Sequence, residues 1–117
     1  MSEPSVEWLD VAAARERLEA GTLLAIDLRG PPDYAGGRIP GSVSLPGRAI
    51  ESRWKKVPTG RTVLFVDDDG SRVEAVCAMA RAQGLDVAAL RGGFEAWFDA
   101  GYPVETMSDG LPPLEDA

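Results

Sequence analysis

The sequence has no histidine and only one cysteine, Cys77, among its 117 residues. Without histidine there is no side chain that titrates near neutrality, which excludes every Ser-His-Asp or Cys-His relay and every imidazole metal ligand. A single thiol forms no intramolecular disulfide and no cysteine-based zinc site. Basic residues are short as well, 12 against 19 acidic ones, for a formal net charge of −7. Nucleic acid and anionic bilayers are both gripped through a basic face, so neither is an expected partner. No apolar run approaches the ~20 residues that cross a bilayer. The amino-terminal MSEPSVEWLD lacks both a basic n-region and an apolar h-region, so no secretory signal and a cytoplasmic location are expected.

What is present is the material for one domain: 44% hydrophobic and 26% charged residues. Residues 1–5 read as a flexible leader, 6–105 as the domain and 106–117 as an acidic, flexible tail. Val6, Trp8 and Leu9 suggest a short strand, followed by Asp10 as N-cap of a helix that runs to Gly21. TLLAIDL and TVLFV are continuously apolar, as expected of parallel strands covered on both faces. Between them lie a turn-rich stretch with a single helical turn around Asp33 to Ala35, a short strand in VSLP, and a helix over 48–56 that carries Trp54 inward. After TVLFV, residues Val73, Val76, Cys77 and Ala80 recur at helical spacing, which buries the thiol along the stripe. DVAAL adds another strand, and GGFEAWFDAG a last helix. The strand–helix alternation with short connections predicts a mostly parallel sheet between two layers of helices.

Three segments in this order resemble the rhodanese-homology family. AIDLR (Ala25 to Arg29) is similar to the family's strand ending in D-x-R. YAGGRIPGSVSLP is similar to its G-H-I-P-G-A motif, with Arg38 for histidine and Ser42 for alanine. LRGGFEAWFDAGYPVE matches the signature G-G-x-x-x-W-x-x-x-G-x-P. The resemblance implies a rhodanese-type three-layer α/β/α fold with a central, mostly parallel five-stranded sheet. It implies a site in the loop after TVLFV, which in active members reads C-x-x-G-x-R. Here those positions are Asp67, Asp68, Asp69, Gly70, Ser71 and Arg72. The loop has the sulfurtransferase length, one residue shorter than in the related phosphatases.

The family's thiolate attacks a sulfur donor and stores the sulfane sulfur as a persulfide. A carboxylate holds no persulfide, so the resemblance implies a vestigial catalytic loop, no cofactor, and an interaction module with an unidentified protein partner. Asp67 is expected to fill the loop's nest of inward-pointing N–H groups, with Asp68 and Asp69 repelling anionic donors and Arg72 offsetting part of that charge. Asp27 and Arg29 are supporting residues, with Arg29 expected to reach the carboxylates of 67–69. Arg38, Gly92, Gly93 and Trp97 are read as structural. A second reading comes from VLFVDDDGS, which resembles the haloacid-dehalogenase opening D-x-D-G-[ST]. There Asp67 would be nucleophile and Asp69 general acid in a Mg²⁺-dependent phosphotransferase. A milder version has Asp67 and Asp69 binding a divalent ion without catalysis.

Overall fold

The computed structural model describes residues 6–106 apart from Glu51, with the backbone alone for Arg48. The leader lies outside the described residues, as does all of the tail beyond Thr106. The chain runs β1 (Glu7–Leu9), α1 (Val11–Glu19), β2 (Leu23–Asp27), α2 (Pro31–Gly36), β3 (Val43–Ser44), α3 (Gly47–Ile50), β4 (Thr62–Val66), α4 (Val73–Ala82), β5 (Val87–Leu90) and α5 (Gly93–Asp99). One five-stranded sheet in the order β1-β5-β4-β2-β3 has every pairing parallel.

The alternation of side chains along each strand divides the core in two. Val63 and Phe65 of β4, with Val87 and Ala89 of β5, face α4 through Val73, Val76, Cys77 and Ala80. Leu64 and Val66, with Ala88 and Leu90, face the other way, against Ala14 of α1 and Trp97 of α5. Both faces of β2, β4 and β5 are covered, which is why these strands read as unbroken apolar runs. Each fully buried Leu, Ile or Phe stabilises the fold by about 1.5–3 kcal/mol.

Local chemistry sets the element ends. Asp10 accepts a 2.8 Å bond from the Ala13 N–H and caps α1. Pro31 and Pro32 open α2, where their missing N–H groups cost nothing, and the expected single turn is a six-residue helix. The helix expected over 48–56 is not continuous. It stops at Ile50, where the Ser52 and Arg53 amides bond Ala49 and Ile50 and the Ser52 hydroxyl also takes the Ala49 carbonyl. A separate 3-10 turn, Trp54–Lys56, then packs a half-buried Trp54 on the α4-side core. The three-residue bonding and the competing hydroxyl explain the break.

β3 lies on one side of β2, while β4, β5 and β1 lie on the other. The connection from β2 to β3 and the connection from β4 to β5 therefore leave in opposite directions, and the loops part above the carboxyl ends of β2 and β4. Such a parting is the usual place for a ligand crevice in an open parallel sheet.

Candidate functional site

A cleft of about 330 Å³ opens at that parting. Leu28 and Gly30 after β2, Pro46 and Gly47 after β3, and Asp67, Arg72 and Val76 line it. Asp67 follows β4 directly and is 1% exposed. Its Oδ1 accepts from the Gly70 amide at 2.6 Å and its Oδ2 from the Arg72 amide at 2.9 Å. The intervening Ser71 amide donates to Asp69 Oδ1 at 2.9 Å. The three consecutive amides of the loop are thus all engaged by the chain's own carboxylates. The Ser71 hydroxyl and amide hold the exposed Asp69 carboxyl below its ordinary range. Asp68 is exposed and pairs with the Arg72 guanidinium at 3.1 Å.

The curl depends on glycine at two points. Gly70 has φ +88, and a Cβ there would sit 3.0 Å from the Gly92 nitrogen. Gly93 has φ +64, and its Cβ would lie 2.6 Å from the Asp68 carbonyl and the Asp69 nitrogen. These contacts let α5 begin directly on the loop, with the Phe94 amide bonded to the Asp67 carbonyl at 2.9 Å and the Glu95 amide to that of Asp68 at 3.0 Å. The loop therefore rests between the starts of α4 and α5.

Arg29 does not make the contact expected of it. Its guanidinium pairs with Asp27 at 2.7 Å, donates to the Gly37 carbonyl at 2.6 Å and lies 4.1 Å over the Phe94 ring. Asp27 also accepts from the Arg29 amide. A guanidinium already held by a buried carboxylate, a carbonyl and a ring has no reason to swing toward 67–69. It supports the loop through Phe94, a residue the sequence reading passed over because a phenylalanine in a helical pattern looks like core. The neutral cleft wall of Leu28, Pro46, Gly47 and Val76 comes from three separate stretches of the chain, and no local pattern in the sequence brings these residues together.

Arg38 bridges Glu105 through both backbones and its side chain, and lies 4.8 Å from the Tyr34 ring centroid. Trp97 donates its ring N–H to the Pro103 carbonyl at 2.7 Å and stacks edge-on against Tyr102. Cys77 is fully buried under β5, and burial pushes its thiol up to about 12. It is not part of the cleft lining.

The phosphotransferase reading gains no support from this geometry. The carboxylate that would attack is buried and has both oxygens turned onto its own loop. Among the described residues, no group of three or more Asp, Glu or Cys side chains is gathered as a metal site. No helix among the described residues is long and apolar enough to cross a membrane.

Comparison with known proteins points one way. The family model for the rhodanese-like domain matches residues 10–100. A sulfurtransferase of Allochromatium vinosum is 34% identical over 101 residues, covering 85% of this chain and 94% of its own length. A putative sulfurtransferase of Bacillus subtilis, YtwF, is 28% identical over 93 residues, covering 79% of this chain and 90% of that protein. Among solved structures, a rhodanese-related protein from Thermoplasma volcanium superposes with a TM-score of 0.79 at 23% identity, over 85% of this chain and 97% of the other. With the parallel five-stranded sheet and the loop above β4, these matches place the chain in the rhodanese-like domain family.

Proposed function

We propose that this protein is a rhodanese-like domain without sulfurtransferase activity that works as a binding or regulatory module for a protein partner. The observation that carries the reading is Asp67. It stands where the resemblance aligns the family's cysteine, and its carboxylate takes two of the amides that would otherwise face a bound anion. The site then has no sulfur nucleophile. Asp68 is matched by Arg72, and the exposed Asp69 beside the loop adds negative charge that opposes thiosulfate and phosphate, because like charges at close range cost about 1 kcal/mol even in water. The cleft suits a neutral or cationic group. No cofactor is invoked, and neither nucleic acid nor membrane is assigned as partner.

A sulfur-transferring reading is favoured by the relatives' names alone. It would have to run through Cys77, a core thiol that stays protonated at neutral pH and is inert as a nucleophile. A thiosulfate:cyanide sulfurtransferase assay separates the two readings. The wild-type chain is expected to give no thiocyanate above a Cys77→Ala control, and turnover above that control would overturn the proposal.

A further inference from the structure

The strongest feature outside the site is a basic surface on an acidic protein. The segment from Arg53 to Arg61 contains Arg53, Lys55, Lys56 and Arg61 and no acidic residue. All four are exposed. Five other arginines, Arg15, Arg17, Arg29, Arg38 and Arg72, are matched to carboxylates. None of the four has an ion pair or side-chain hydrogen bond among the described residues. Removing these four charges from the formal net of −7 leaves −11 on the rest of the chain, so the segment is a local excess of positive charge in an acidic sequence.

The segment is also held in place. Trp54 packs on the core and Val57 is buried. The Lys56 and Val57 amides close the 3-10 turn onto the Arg53 and Trp54 carbonyls at 2.8 and 3.1 Å. The cations are therefore displayed by an anchored backbone, which lowers the ordering cost of binding. The segment's second half, Pro58 to Thr62, walls a cleft of about 580 Å³ together with Arg17, Thr22 and Asp86. This cleft lies at the amino ends of β2, β4 and β5, the end of the sheet opposite Asp67.

We infer that this surface docks a short acidic polypeptide segment of a partner protein, with the acidic side chains on Arg53, Lys55, Lys56 and Arg61 and the backbone along the cleft. Charge complementarity selects the partner. A peptide with a few carboxylates meets only the basic segment, whereas a longer nucleic-acid backbone would extend past it onto a chain whose other residues sum to −11. The inference rests on the binding-module reading and gives that module a face. It does not use the Asp67 loop.

The test uses the full chain and a fluorescein-labelled deca-glutamate peptide, followed by anisotropy at low salt and by amide chemical shifts. Saturable binding is expected, with shifts confined to residues 53–63 and to Gly21 and Thr22, and weakening steeply as salt shortens the Debye length to about 10 Å. Lys55→Glu with Lys56→Glu should raise Kd at least about tenfold, and Arg61→Glu alone should raise it severalfold. Asp68→Asn with Asp69→Asn should leave it within about twofold. Absence of saturable binding, shifts centred on 67–72, or charge reversals without effect would overturn the inference. So would tighter binding of a single-stranded oligonucleotide of equal charge or of anionic vesicles. Thiocyanate formation in the separate assay would overturn the silent-domain reading and leave peptide docking to stand or fall on these data.

Discussion

At the scale of single residues, Asp27 and Asp67 are both buried carboxylates solved in different ways. Asp27 is matched by the Arg29 guanidinium, and Asp67 by the backbone of its own loop. Removing Arg29 strands a charge in the core, so Arg29→Ala should cost about 3–5 kcal/mol, while Arg15→Ala on the surface should cost less than about 1. Urea denaturation midpoints of the two variants measure the difference. Asp67→Ala leaves the Gly70 and Arg72 amides without partners and should cost about 1–3 kcal/mol. Asp67→Cys would place a thiol where those amides converge, and such a thiol is activated at neutral pH. It should react with iodoacetamide far faster than Cys77, whose labelling should wait for unfolding. Cys77 also has a pH signature. Its thiol titrates at about 12 when folded against 9.0 for the free group, so the folded state binds the proton more tightly. That contribution is complete below pH 9.0 and is lost as pH rises toward 12, and alkaline denaturation of Cys77→Ala should be correspondingly less steep in that window.

At the scale of elements, the loop after β4 is defined by the start of α5 as much as by its own sequence. Gly93→Ala would push a methyl group into the Asp68–Asp69 backbone and also force alanine into a left-handed conformation, itself costing about 1–2 kcal/mol. Gly84→Ala meets nothing within 4 Å at a similar φ, so it should suffer the conformational cost alone. The thermal midpoint should therefore fall further for Gly93→Ala, and only that variant should shift the amide resonances of 67–70. Helices α1, α4 and α5 and strands β2, β4 and β5 were legible because each carries its period and stop signals in a few consecutive residues, such as Asp10 and Gly21 around α1. The 48–56 helix was not. Its break comes from bonds at Ser52 and Arg53 and from the anchoring of Trp54 on residues far along the chain, neither of which propensity records.

At the scale of the whole molecule, the sheet separates two ends with different character. The carboxyl end holds carboxylates that answer the loop's own amides, and the cleft at the amino end is walled by Arg61, the last of four exposed cations in the segment 53–61. Screening should act unequally on them. The Asp67 bonds are buried and are expected to survive high salt, so the melting temperature should change little between low and moderate ionic strength, while the basic face should lose its affinity for acidic peptide.

The sequence by itself determined the family, the alternation of strands and helices, the absence of imidazole chemistry, and the position of the acidic loop. These follow from residue identity and short-range spacing, which folding does not alter. Only the tertiary structure decided where Arg29 points, that Phe94 links it to the loop, and that the cations of 53–61 stand without ion pairs among the described residues, with Arg61 on a cleft at the end opposite Asp67. Each of these is a choice of partner among residues distant in the chain. Such choices are made by packing, since a side chain pairs with whichever neighbour the sheet and its crossovers bring within reach.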